Sequence, residues 1–455
     1  MKLVKTIAVG ALALALASVA SATSIKITGS TAIRKALYAS IVRSLATGGH
    51  TVRTVSCDPN FNNKTPDGAQ QAVFINDAND SVVACLTGSV GGLGYVIGGD
   101  PVTTGVLSGG DVNKAWLTVP SYASISTGAL IWPTVSVNAG GTFTYGTATG
   151  ASVNVNSVAG NLGQTTTLPA FGSVGTPFSA PSSASITMTD SFQNSTIYNS
   201  VDFGIALNDT QTGTVSFAFC KGAAHPSVGA SYGHLTNITA QNMQALVNKG
   251  YIDLSQITGD TVNDSGIDVV LVGRNSDSGT RLGVFAETGV GPVTTGANQY
   301  IALDKNGVDV SLSTSTGKVD HFALVASDQD GYDSGAFVKA TLAAAVESPA
   351  LPSTKGPGGH PFIEVGYVSA GDLGGTQLTY NGVALTQGNV INGTYTLWTT
   401  EHFMYDASAV TGADLTLATL IKGNITATNS NGLYVNQGGL SCSRATVEGS
   451  TVTHN

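Results

Sequence analysis

Arginine, serine, threonine and glycine fall together in Val272-Gly273-Arg274-Asn275-Ser276-Asp277-Ser278-Gly279-Thr280. The stretch follows a strand-like apolar run, Ile267 to Val272, and precedes a helix-like one, Leu282 to Glu287. A strand-to-helix junction of this kind presents unpaired backbone N–H groups and a partial positive charge, which suits an oxyanion. Arg274 adds a planar fork matched to phosphate or carboxylate. Ser278-Gly279-Thr280 is also ordinary N-cap and turn chemistry, so the motif has two readings.

A second junction of the same type lies near the start. Ser24 to Thr28 alternates like a strand, and Gly29-Ser30-Thr31 follows. The period then predicts a helix to about Ala46, with Ile33, Leu37, Ile41 and Leu45 on its apolar face and Arg34, Lys35 and Arg43 elsewhere. Gly48-Gly49 stops it. Gly88-Ser89-Val90-Gly91-Gly92 is a third glycine–serine turn before an apolar stretch.

These junctions need a scaffold, and the composition limits what it can be. Only 10% of the 455 residues are charged, 42% are hydrophobic and 57 are glycine. That is enough apolar material for real cores. The net charge of −9 argues against nucleic acid and anionic membrane surfaces as partners. Lys2 and Lys5, the apolar run Ile7 to Ala17 and Ala20-Ser21-Ala22 predict a signal peptide over 1–22, cleaved on export. No other stretch is long and apolar enough to span a bilayer. The expected location is periplasmic, secreted or at the cell surface. Cys57, Cys85, Cys220 and Cys442 fit two disulfides in an oxidising compartment, and Cys57–Cys85 is the expected pair.

Short Val/Thr/Ile runs between Gly, Ser and Pro predict a β-rich insertion over 98–189. Beyond it, Val215 to Phe219 reads as a strand. Thr239 to Lys249 reads as a helix capped by Thr239 and stopped by Gly250, with Met243, Leu246 and Val247 on its apolar face. Gly331 to Gly335 opens another helix, to about Val346, and Ile363 to Val368 is a strand. Alternating strands and helices imply α/β lobes with mostly parallel sheets.

Taken in order, these motifs resemble the periplasmic phosphate-binding protein family of ABC importers. Thr28-Gly29-Ser30-Thr31 matches the turn that opens that family's first helix, and Gly88 to Gly92 its Gly-Ser-x-Gly-Gly turn. Val201-Asp202-Phe203-Gly204 matches a strand motif, Leu235 to Gly250 a helix, and Arg274, Ser278, Gly279 and Thr280 the anion loop. Gly331 to Gly335, Gly366-Tyr367-Val368 and Val390 to Leu397 complete the series, with Thr396 where proline is usual.

The resemblance implies a two-lobed Venus-flytrap fold of α/β class, with the β-rich insertion added. The first lobe would take 23–217 and 366–455, and the second 218–365. It implies phosphate or another small oxyanion in the cleft, an ABC permease as partner, and no cofactor. Ser30, Thr31 and Ser89 would donate from the first lobe; Arg274, Ser278, Gly279 and Thr280 would donate from the second. The family's proton-accepting aspartate falls at Leu207, five positions beyond Asp202, and a second family aspartate falls at Ser276. Asp209 and Asp277 are the candidate replacements. With Leu207 at that place, weak discrimination between phosphate and sulfate is expected. The incomplete acceptor and the insertion keep a second reading open, a surface or adhesion protein that retains the fold without transport.

Catalysis finds little support in the sequence, and a hydrolytic enzyme on this scaffold is the least favoured of three readings. The seven histidines form no metal-binding spacing, and His234 and the Glu401-His402 pair read as structural or surface residues. Asp328, Asp330 and Asp333 fail the EF-hand pattern.

Overall fold

Ser24–Gly29 (β1) alternates as expected: Ile25 and Ile27 are fully buried, in the same core as the apolar residues of the helix Arg34–Leu45 (α1). Ile33, Leu37, Ile41 and Leu45 are buried too, so the period was correctly read. The computed structural model describes residues 22–57, 65–69, 71–86, 88–96, 115–117, 131–132, 135–138, 142–145, 167–168, 172–177, 185–190, 207–275, 278–291, 297–312, 317–325, 331–332, 334–347, 354–425, 435–436, 439–444 and 451–454. The expected signal peptide, apart from Ala22, and the Val201–Gly204 motif lie outside the described residues.

The other strands of the main sheet are Val52–Cys57 (β2), Gln71–Asn76 (β3), Ser81–Cys85 (β4), Ile131–Trp132 (β5), Ser185–Thr189 (β6) and Leu207–Ala224 (β7). Tyr251–Asp253 (β8), Asp268–Val272 (β9), Phe362–Ser369 (β10) and Trp398–Asp406 (β11) follow. Their order is β8-β9-β10-β7-β11-β6-β1-β4-β3-β2-β5. The long strand β7 joins the two halves. Leu207 to Ser216 pair with β11, and Phe217 to Ala224 pair with β10. The chain is thus an α/β protein of two lobes, each built on one end of β7. The expected divisions at 217/218 and 365/366 fall inside β7 and β10.

Parallel pairing is confined to β4–β1–β6 and to β9–β10, so the sheet is mixed rather than mostly parallel. Part of the reason is local: β3 and β4 follow one another through a short turn, which imposes antiparallel pairing, and β2 pairs antiparallel with β3.

Helices cover both faces. In the first lobe α1 packs against Gly412–Asn424 (α6), with Asn424 Nδ2 donating to Ser44 Oγ at 2.9 Å. On the opposite face lies Ser89–Val96 (α2): Thr28, which alternates with Ile27, donates its hydroxyl to the Gly92 carbonyl at 2.9 Å. In the second lobe Ala240–Lys249 (α3) has the expected Thr239 N-cap, which forms a capping box with Asn242, and Gly250 stops it at φ 83°. Met243, Leu246 and Val247 are its buried residues. Gly279–Glu287 (α4) packs on β10 and β11, and Gly335–Ala343 (α5) packs on β10 and β7. The last helix ends short of Val346 because Ala345–Val346 pairs as a strand with Lys318–Val319.

Two sequence expectations are corrected here. The insertion does not extend to 189, because β6 lies inside the main sheet between β1 and β11. Within the described part of the insertion, β5 extends the sheet beyond β2, and Val135 is buried in the main core. The Cys57–Cys85 disulfide is excluded by register. Both residues stand opposite Gln71, on either side of β3. Two strand spacings put them roughly 10 Å apart, beyond the reach of about 7 Å between Cα atoms. Among the described residues Cys220 and Cys442 are buried free thiols.

Candidate functional site

Three glycine–hydroxyl junctions converge where the lobes meet, and backbone geometry explains why. Gly29 has φ +121°, and a Cβ there would strike the Met188 carbonyl of β6. Ser30 N in turn donates to that carbonyl at 2.7 Å. The turn is thereby pinned to the end of β6, and the Ser30 hydroxyl accepts from Ala32 N at 3.1 Å. Ser30, Thr31 and Ser89 are all nearly solvent-excluded.

Arg274 leaves the end of β9 and is 2% exposed, which for a guanidinium demands partners. Its Nε donates to the Tyr332 carbonyl at 3.0 Å, and Nη1 reaches Thr31 Oγ1 of the first lobe at 3.3 Å. Its backbone is clamped as well. The Arg274 amide donates to Tyr367 Oη at 3.1 Å, Tyr367 donates to Gln299 Oε1 at 2.7 Å, and Gln299 Nε2 donates to the Arg274 carbonyl at 3.0 Å. The arginine is therefore held in place by contacts within the protein itself.

Ser278 is the N-cap of α4, accepting from Arg281 N at 3.2 Å. Its side chain is thus occupied as the capping reading foresaw, while the amides of Gly279 and Thr280 belong to the helix's first turn, where no intrahelical acceptor exists. Against that turn lies a carboxylate the sequence reading missed, Asp190. It is fully buried, its Oδ1 accepts the Ser89 hydroxyl, and a Cβ on Gly279 would run into both groups. Burial pushes the Asp190 carboxyl above its ordinary range, against the opposing effects of the Ser89 hydrogen bond, the Arg274 charge and Ser30. Oδ2 of Asp190 has no hydrogen-bond partner among the described residues.

The structure thus brings together Ser30, Thr31, Ser89, Arg274, Gly279 and the cap Ser278, with Thr280 buried beside them. Asp209 is not in that group: it is exposed on β7 and bonded to His402 Nδ1 at 2.8 Å. Asp277 and Ser276 lie outside the described residues. The carboxylate beside the donors is Asp190, which immediately follows β6. The signal was present in Ser185-Ile186-Thr187-Met188-Thr189-Asp190, an alternating strand ending on an acid. Assigning those residues to the insertion hid it.

Of the two readings of the Glu401-His402 pair, structural or surface, the burial of both residues on β11 fits the first. His234, Asp260 and Asp264 offer ligand atoms within 4.8 Å of one another. Their oxygens are already engaged: Asp264 by His234 and Thr258, and Asp260 by the Val262 and Asn263 amides and the Asn263 side chain.

No protein-family model matches the sequence, and no curated protein does. Solved structures do. The chain is similar to substrate-binding proteins of phosphate ABC transporters. One is a putative phosphate ABC transporter substrate-binding protein with bound phosphate from Clostridium perfringens, at 12% identity and TM-score 0.43, covering 91% of this chain and 99% of that one. An ABC-type phosphate transport receptor from Vibrio cholerae matches at 14% identity and TM-score 0.30, over 52% of this chain and 73% of the other. A possible phosphate binding protein from Planctomyces limnophilus matches at 9% and 0.35, over 91% and 93%. Likeness at this level leaves function to be argued from the residues of this chain. Among the described residues no helix is long and apolar enough to cross a membrane.

Proposed function

We propose that this protein is an exported solute-binding protein that holds phosphate, or a closely related protonated oxyanion, between its two lobes for uptake by an ABC permease. The observation that carries the reading is the juxtaposition of Asp190 with Ser89, Gly279 and the buried Arg274. A dehydrated oxyanion needs convergent donors, a fixed positive charge and helix N-termini, which these elements bring together. Hydrogen phosphate also carries a proton that needs an acceptor. Asp190 supplies one, which replaces the weak discrimination expected from Leu207 with preference for phosphate. Sulfate has no proton to give, so its oxygen would face a carboxylate oxygen in a dry site.

Calorimetry on the mature protein with phosphate and sulfate at matched ionic strength tests this. Phosphate should bind, sulfate should compete poorly, and Arg274→Ala should weaken phosphate by about 2 kcal/mol or more through loss of a charge-assisted bond. Absence of binding by either anion would remove the reading.

A further inference from the structure

Behind Asp190 stands a second buried acid. Asp190 follows Thr189, and Glu401 precedes His402; Thr189 and His402 are the last pair of the β6–β11 ladder. The two carboxyls therefore occupy facing positions one step beyond that pair. On its other side Glu401 faces Gly213 of β7, which offers no side chain. Both Glu401 carboxyl oxygens lack a hydrogen-bond partner among the described residues, and the residue is fully buried.

The charged groups around it are already committed. Arg274 lies nearer Asp190 and bonds Thr31 and Tyr332. Arg281 of α4 donates to the Arg274 carbonyl and covers the Phe285 ring. His402, the next residue, bonds Asp209. On α2 the nearby group is the neutral Ser89, and on β7 Thr212 donates only to the Glu401 backbone carbonyl. One arginine thus serves two buried acids, and two adjacent carboxylates cannot both ionise beside a bound dianion.

We propose that Glu401 is a second carboxyl of the anion site, carried as the neutral acid beside Asp190, and that its neutrality lets the site retain a dianion. This deepens the reading of the cleft as an oxyanion receptor. Burial first, and then the Asp190 charge, hold the Glu401 carboxyl well above the usual carboxylate range. Ionising it would put a second negative charge directly behind the ligand. The pair therefore presents one acceptor and no net charge once Arg274 is counted.

The sign of the linkage follows. A native acid held above its unfolded value keeps its proton while the unfolded chain loses it, so stability falls as pH rises from about 4.3 until the native group ionises. The full-length mature protein and its Glu401→Gln variant should be compared in three ways. Infrared spectra at pH 7 should show a protonated-carboxyl band in the wild type that Glu401→Gln lacks and Asp190→Asn keeps. Between pH 5.5 and 8.5 the wild-type folding constant should fall relative to Glu401→Gln by up to about tenfold per pH unit. Phosphate affinity at pH 7 should not tighten by more than about tenfold in Glu401→Gln, because the wild-type acid is already neutral and Gln removes no negative charge. A missing band, parallel stability profiles, or affinity tightened more than about tenfold in Glu401→Gln would each overturn the proposal. The first two measurements need no ligand, so they decide it even if phosphate fails to bind. If Glu401→Gln does not fold, retention of the band in Asp190→Asn supports the proposal and its loss refutes it.

Discussion

Asp190 concentrates the chemistry of the site in one side chain. Its carboxylate accepts from Ser89, lies against the first turn of α4 and faces the charge of Arg274. Asp190→Asn exchanges an acceptor for a donor at nearly constant volume. Phosphate should therefore weaken by about 2 kcal/mol or more while sulfate improves, since a facing amide satisfies an unprotonated oxygen. Competition calorimetry reads both effects, and unchanged selectivity would show that Asp190 does not touch the ligand. Tyr367 acts at one remove, through the Arg274 amide. Tyr367→Phe leaves that amide and Gln299 Oε1 short of a partner, which should cost about 1–3 kcal/mol of stability in denaturant melts. Cys220 shows how far a reactive group is silenced by its setting: burial pushes its thiol up to about 11. Native protein at pH 8 should leave it unalkylated, and rapid labelling there would contradict the packing of β7.

At the scale of elements, the site consists of strand ends and helix starts brought together by glycines. Gly279 lies so close to Asp190 and Ser89 that a methyl group has no room, and both neighbours are fixed in the sheet and in α2. Gly279→Ala should lose anion binding and destabilise by about 1–3 kcal/mol through overpacking; near-wild-type binding would mean that the helix start can slide. Arg34 makes the complementary point. It lies off the apolar face of α1, yet it is buried and paired to Asp372 at 3.0 Å. Arg34→Ala leaves Asp372 buried without its cation and should cost about 3–5 kcal/mol in chemical denaturation.

These cases show what was legible. Thr239–Gly250 was readable because cap, period and glycine stop agree within one short window, the α1 face because its period is regular, and the Arg274 loop because a strand run, Ser278 and a helix run adjoin. Asp190 was not, because its role depends on a parallel pairing with β1, more than 150 residues away, that leaves no local trace beyond a strand ending in an acid. Glu401 stayed hidden for a similar reason. A Glu-His dipeptide reads equally as structural or surface, and only the position of β11 between β7 and β6 decides for burial.

For the whole molecule, β7 is the structural fact with most consequence. Its first half pairs with β11 in one lobe and its second with β10 in the other, so one continuous strand carries both sheets. The changeover is reinforced: Phe217 N donates to the Leu397 carbonyl at 2.9 Å, and Tyr395 Oη donates to the Phe217 carbonyl at 2.6 Å. Phe217 itself packs against Gly283 of α4, the helix whose start forms part of the site. Unfolding either lobe strips ladder partners from β7 and exposes Phe217 and Tyr395, which share the main buried core. The two lobes should therefore melt as one cooperative unit, despite a length at which separate domains are common. Phosphate bound to groups of both lobes should raise that single transition as a whole. At a hundredfold excess over Kd the gain is about 2.7 kcal/mol by mass action. Differential scanning calorimetry with and without phosphate gives the test. Two resolved transitions, with phosphate moving only one, would show that β7 does not couple the lobes and that the anion contacts are confined to one of them.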